Sequence, residues 1–457
     1  MKGSMKLRIT VRGKLAMLAG ILAVLTGATA GAQISLQSAV GMALRSDPRM
    51  KMAQADVDKA RASVSEAHDA FVPSVGASAG VGYSIGVPLG LPVIFSMSSQ
   101  SLLYNFSQRD YVRAAHAGLQ SAVLELQDAH DKVVEDVVMT YLNLDTAQRR
   151  EAALTQEYED ANKLGTIMQE RVDAGQDSRM ELLQGRRTLH QVRLQQLQTQ
   201  DDVAALEDHL ARLMGMAGNH FTTVADSIPR MPSPNVMEVN SPPSFAVESA
   251  FAEAQSKQAK ASGDLKYRFR PQASFVMNYS RISTDFTNYT DYYPAFKNNK
   301  SDNAFSIGMQ IQLPIFDRAH QDRANQSVAD AIHSRYVAEQ ARNEFLEGRI
   351  KLRHSNEELQ AKMDLATDER DIAQAELDEV LVRLTAPTGG SDQVQSNPKD
   401  EENARIQESS REVDLIDATS QLRQAQVSLM RQTGMLTDWL REAVANSSAP
   451  SGVQVSH

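Results

Sequence analysis

Residues 305–316 read FSIGMQIQLPIF. Phe305, Ile307, Met309, Ile311 and Leu313 fall on one side of an extended chain. Ser306, Gly308, Gln310 and Gln312 fall on the other, because successive side chains of a strand point to opposite faces. A two-residue period held this long predicts a strand with one face against an apolar phase and one against water. About ten residues is also what a tilted strand needs to cross the hydrocarbon core of a bilayer. A half-buried strand of a soluble sheet alternates in the same way, so the surrounding sequence has to decide between them.

Three further runs share the setting. Residues 272–282, QASFVMNYSRI, put Ala273, Phe275, Met277 and Tyr279 on one face. Val75, Ala77, Ala79, Val81 and Tyr83 alternate with Gly and Ser, and a fourth extended run ends in SLLYNF at residues 101–106. The strands come in two pairs, joined by IGVPLGLPVIF (residues 85–95) and by the polar, aromatic STDFTNYTDYYPAFKNNKSDN (residues 283–303). GVGYSIG (residues 80–86) has glycines of a dinucleotide loop but no helix after it, and reads as small-residue strand.

The N-terminus supplies the compartment. A basic start, MKGSMKLRITVRGK, leads to eleven apolar residues, LAMLAGILAVL, and then TGATAGAQ. This is the layout of a secretory signal peptide cleaved after Ala32, and the run is too short for a spanning helix. The 457 residues include no cysteine, which excludes disulfides, thiolate metal sites, a thiol nucleophile and a lipid-acceptor thiol. A net charge of −10 without a basic stripe argues against nucleic-acid binding. The ten histidines and nineteen methionines show no metal-ligand spacing, with His68, His116, His130, His190 and His209 scattered along helical stretches. No Ser/His/Asp or metalloprotease motif is present, so no enzyme, cofactor or metal is expected.

Long helical stretches flank each strand pair, so the plan occurs twice. Residues 33–230 form the first copy, with a helix, strand pair 73–105 and helix hairpin 106–216. Residues 231–440 form the second, with a helix, strand pair 271–316 and hairpin 317–438, leaving a flexible tail at 441–457. Leu119, Val123, Leu126, Val133, Val137, Tyr141 and Leu144 recur at three- and four-residue steps, as do Val192, Gln196, Thr199, Val203, Leu206, Leu210 and Leu213. That is coiled-coil spacing. Gly175, then Ser178 with Glu181 three residues on, marks a helix stop and a capped restart. Antiparallel helices of roughly 65 and 35 residues follow, the longer about 100 Å. Four strands cannot close a barrel, and unpaired edges are not tolerated in lipid. Oligomerisation is expected.

Four segments in order resemble the TolC-like outer-membrane efflux proteins: FVPSVGASAGVGY (71–83), RVDAGQDSRMELLQGR (171–186), FSIGMQIQLPIFDRAHQDRANQSVADA (305–331) and VDLIDATSQLRQAQ (413–426). The resemblance implies a mainly α chain with a membrane β-barrel. A homotrimer completes twelve strands in the outer membrane, and long coiled-coil helices form a periplasmic α-barrel. It further implies a passive exit duct for an inner-membrane pump and a periplasmic adaptor protein. A type I protein-secretion channel is the alternative that the resemblance leaves open, and a periplasmic coiled-coil scaffold outside lipid is the reading from another class. One departure is LTAPTGGSDQVQSNPKDEENARIQES, which makes residues 385–409 a loosely ordered polar insert where the adaptor would dock. The other is PSPNVMEVNSPP (232–243), expected to run along the outside as an equatorial loop.

The resemblance also assigns candidate residues. Asp414 and Asp417 match acids at the periplasmic entrance, where a trimer would repeat each three times as a cation-attracting ring. From the residues alone they read as solvated acids in a helix first turn, with Arg411 as partner. Glu181 holds the equivalent place in the first copy, although its capping box also explains it. Arg171 and Gly175 at the first hairpin turn, and Arg383 before the second, are candidates for the adaptor contact. A solvated helix end accounts equally for Arg383. Tyr279, Tyr289, Tyr292, Tyr293 and Phe296 suit an interfacial aromatic girdle or outer loop, or a small packed cluster.

Overall fold

The computed structural model describes residues 32–80, 93–218, 221–232, 244–267, 270–283, 294, 301–385 and 397–447. The expected signal peptide lies outside them except for Ala32, and so does the expected equatorial loop except for Pro232. In chain order the elements are β1 (Ala32–Ile34), α1 (Leu36–Ser46), α2 (Pro48–Asp69), β2 (Ser74–Ala79), β3 (Val93–Tyr104), α3 (Gln108–Asp173) and α4 (Arg179–Leu213). Then come β4 (Phe221–Thr223), a short 3₁₀ turn (Ala225–Ser227), α5 (Phe245–Leu265), β5 (Gln272–Ser283), β6 (Ser301–Gln312), α6 (Arg318–Thr385), α7 (Pro398–Gln432) and α8 (Leu436–Ser447).

β2, β3, β5 and β6 form one antiparallel sheet in that order. The register aligns Ala273 with Ile311, Phe275 with Met309, Met277 with Ile307 and Tyr279 with Phe305. On the same face of the neighbouring pair, Met97 lies opposite both Ala77 and Tyr279, and Phe95 opposite Ala79. The reverse face carries Ser74, Gly76, Ser78, Ser96, Ser98, Gln100, Asn278, Ser306, Gly308 and Gln310. One side of the sheet is thus mainly apolar, interrupted by Ser99, Ser101 and Arg281, and the other mainly small and polar apart from Val276 and Leu102. Phe305, Ile307, Met309 and Ile311 are all more than half exposed, so among the described residues none covers the apolar side of β6.

α3, of 66 residues, is the axis of the helical part. It packs on α2 and α4 along one flank and on α5 and α7 along another, and α6 packs on α5 and α7. The largest core gathers on the middle of α3, where Val133, Val137, Tyr141 and Leu144 repeat at heptad steps and are fully buried. Leu36 and Ala43 of α1, Leu210 of α4, Phe221 of β4, Met430 of α7 and Trp439 of α8 close on them. Buried phenols need a partner. The Tyr141 hydroxyl donates to the carbonyl of Ile34 at 2.7 Å and accepts from the Val224 amide at 2.8 Å, which ties the parallel β1–β4 pair to α3.

Three expectations are corrected. The opening helix is two helices, because Asp47 accepts from the Arg49 amide at 2.7 Å and Pro48 begins a new first turn. The polar insert does not extend to 409. α7 starts at Pro398, where Asn397 and Asp400 form a capping box, and residues 386–396 lie outside the described set. The tail expected to be flexible from 441 is helical through Ser447, anchored by Trp439, whose indole N–H donates to the Arg230 carbonyl at 3.1 Å.

Candidate functional site

α3 and α6 both run away from the sheet, so the hairpin turns lie at the far end of the molecule. At the first turn Gly175 has φ 73°, a left-handed conformation that costs glycine little, and its amide donates to the Val172 carbonyl at 3.0 Å. Arg171 grips Asp177 with two bonds, Nε to Oδ2 at 2.9 Å and Nη2 to Oδ1 at 3.0 Å. Ser178 and Glu181 complete the expected capping box. Lys399, one residue into α7, donates to Glu181 Oε1 at 2.8 Å and lies 3.5 Å from Asp177 Oδ2. Arg171 holds the Asp177 carboxyl below its ordinary value, and Lys399 does the same for Glu181. The two repeats are therefore pinned together at their tips. Lys399 has no signal in the sequence, since it falls in a segment whose composition suggests disorder.

Further up, α3 and α7 enclose a band of charge. Asp417 lies 3.3 Å from Arg150 of α3. Arg411 bridges Asp414 at 3.2 Å and Glu369 of α6 at 2.9 Å. Glu157 of α3 is 5 % exposed, and among the described residues no cation pairs with it. Burial, helped by the nearby Asp414 charge, pushes its carboxyl up to about 7. Burial also raises Asp417, partly offset by Arg150.

The aspartates lie deep within α7, not in a first turn, so the helix dipole does not account for them. Arg411 pairs with Asp414 but not with Asp417, whose cation is Arg150 of α3. Asp414 is half exposed on one side of the helix while Val413 and Leu422 are buried on the other. Such a helix packs against its neighbours and still presents carboxylates to water.

Residues 39–216 match the outer membrane efflux protein family. No curated protein sequence matches the chain. Solved structures do. The outer membrane protein VceC from Vibrio cholerae is 17 % identical, with a TM-score of 0.66 covering 89 % of this chain and 95 % of its own. The Campylobacter jejuni CmeC outer membrane channel is 17 % identical, with a TM-score of 0.67 over 90 % of this chain and 89 % of its own. The open state of the Neisseria gonorrhoeae MtrE outer membrane channel is 16 % identical, with a TM-score of 0.66 over 88 % and 89 %. The chain has the TolC-like outer-membrane channel fold.

Within that fold the other candidate residues separate. Arg383 is in the last turn of α6, half exposed, and pairs with Glu379 one turn earlier, as a solvated helix end does. Tyr279 is on the apolar face of β5, stacks edge-on with Phe95, and donates its hydroxyl to Asn303 Oδ1 at 2.9 Å. Tyr289, Tyr292, Tyr293 and Phe296 lie outside the described residues. Among the described residues no helix is long and apolar enough to cross a membrane.

Proposed function

We propose that this chain is the outer-membrane exit duct of a tripartite efflux system, embedded in the outer membrane and reaching into the periplasm. It assembles as a homotrimer and takes substrate from an inner-membrane pump by way of a periplasmic adaptor protein. It conducts passively, the energy coming from the pump. The observation that carries the reading is the four-stranded sheet, which has a bare apolar face, a small polar face and two open edges at β2 and β6. Edge backbone groups in lipid need partners. Pairing β6 of one copy with β2 of the next is a head-to-tail contact that closes a ring. Three copies of the four-stranded sheet give twelve strands. The helices support the same contact, since α6 exposes Ile332, Tyr336, Ile350, Leu365 and Ile372 on one flank of the bundle and α4 exposes Met180, Leu183 and Leu194 on the other.

The full chain is expected to sediment with outer membranes and to give trimeric conductances in planar bilayers. Recovery only in the soluble periplasmic fraction, without conductance, refutes the duct and favours the scaffold.

In the trimer Asp414 and Asp417 face the lumen near the tip, and the Arg171–Gly175 turn beside Lys399 is the surface the adaptor meets. Replacing both acids, Asp414→Asn with Asp417→Asn, is expected to lower the cation-to-anion permeability ratio about tenfold, the low end of electrostatic focusing in a charged cleft. Unchanged selectivity together with unchanged block by multivalent cations would take these residues out of the lumen.

A further inference from the structure

The four strand-to-helix junctions lie at one level, joined by short contacts. The Leu102 amide donates to the Ala70 carbonyl at 2.9 Å, Lys266 Nζ sits 2.6 Å from Asp110 Oδ2, and a His320 ring nitrogen is 3.0 Å from the Asp264 carbonyl. The apolar sheet face ends here in aromatic residues. A register shift between Leu102 and Tyr104 sets Tyr104 opposite Ala273, on the apolar side. Tyr104 meets the Phe106 ring edge-on at 4.9 Å, and the Arg270 guanidinium lies over that ring at 4.8 Å. Ile315 and Phe316, between β6 and α6, are 67 % and 81 % exposed. Phe71 and Val72 are exposed between α2 and β2.

Arg109, Arg270 and Arg318 are exposed at this level, and among the described residues none forms an ion pair. Most of the acids close by are already engaged. Asp110 is held by Arg113 and Lys266, Asp264 accepts from Tyr111 and Ser327, and Asp317 accepts from the His320 amide. Asp69 and Asp322 lie on the helix side of the junction.

From this juxtaposition we infer that the junction is a collar that binds the phosphate groups of anionic phospholipids in the leaflet facing the helical end. The inference rests on the duct reading, because it needs the sheet in a bilayer. Three unpaired guanidiniums recognise phosphate. The bare Ile315, Phe316 and Phe71 beside them require a ligand that is also apolar, which a free anion is not. Tyr104, packed edge-on against Phe106, is an amphipathic ring of the kind that settles at headgroup depth. This collar is where the chain grips the inner face of its membrane.

The test reconstitutes the full chain into phosphatidylcholine vesicles containing a minority of phosphatidylglycerol. The protein is re-extracted in mild detergent and its retained lipids are quantified by mass spectrometry. Wild type is expected to enrich phosphatidylglycerol. Combining Arg109→Gln, Arg270→Gln and Arg318→Gln lowers the enrichment by about tenfold or more, and the three Lys replacements keep most of it, since each surface cation is worth about fivefold. Arg318→Gln alone, at an exposed position, lowers it about fivefold and serves if the triple variant fails to insert. Equal enrichment in variant and wild type, or none in wild type, overturns the collar. Displacement of the lipid by excess inorganic phosphate overturns its assignment to lipid. Wild type that floats with vesicles and conducts without preferring phosphatidylglycerol loses only the collar, whereas wild type that fails to float loses the duct as well.

Discussion

Gly263→Val is expected to destabilise the chain by roughly 3–5 kcal/mol, through overpacking and the loss of hydrogen bonds to a buried charge. A Cβ at position 263 would meet Tyr111 Cε1 at 2.6 Å and Cδ1 at 2.9 Å, so the ring must leave. That ring is one arm of a hub. The Tyr111 hydroxyl donates to Asp264 Oδ1 at 2.7 Å, and Ser327 Oγ donates to Oδ2 at 2.5 Å, joining α3, α5 and α6 around one buried carboxylate. Moving Tyr111 strips a donor from that carboxylate exactly where the helices take over from the sheet. Urea unfolding of the full chain in detergent measures the effect. An unfolding free energy within about 0.5 kcal/mol of wild type, the usual spread of neutral surface changes, would show that the helices part at little cost.

Much of this arrangement was legible because backbone periodicity carries it. The alternation from Phe305 to Ile311 survives as the apolar ladder of β6, although the strand stops at Gln312, short of the expected Leu313, and the Gly175–Ser178–Glu181 punctuation places the hairpin turn correctly. The errors arose where side-chain capping outweighs composition. Asn397-Pro398-Lys399-Asp400 begins a polar stretch, yet its capping box satisfies amides that would otherwise fray, and the helix starts there. Asp47-Pro48 breaks a stretch whose apolar spacing looked continuous for the same reason.

The candidate site was half legible. Asp414 and Asp417 stand out as acids among apolar residues, but Arg150, which pairs with Asp417, and Glu369, which shares Arg411 with Asp414, are distant in sequence and no local rule finds them. Glu157 did leave a signal. Leu154, Glu157, Ala161, Leu164 and Met168 keep three- and four-residue steps, and all are buried, so an acid occupies a position in the seam itself. Lys399 left none, because its partners Asp177 and Glu181 belong to the other repeat.

The seam position of Glu157 makes stability depend on pH with a definite sign. Its folded carboxyl is pushed up to about 7, by burial first and by Asp414 second, from an ordinary value of 4.5. The unfolded chain therefore releases this proton at a lower pH than the folded chain does. Between about 4.5 and 7 the folded state binds more protons, so stability falls as pH rises, and the penalty is fully present above about 7. Arg150 and Arg411 are committed to Asp417, Asp414 and Glu369, so they do not neutralise Glu157. Glu157→Gln keeps the shape and removes the charge. Discounted for solvent screening, the variant is expected to be about 2 kcal/mol more stable than wild type at pH 8 and nearly equal to it at pH 4.5. Urea midpoints for both proteins at the two pH values measure this. A gain of the same size at both would mean that packing rather than charge sets the difference. A loss at pH 8 would mean that the ionised carboxylate finds a stabilising partner in the folded protein.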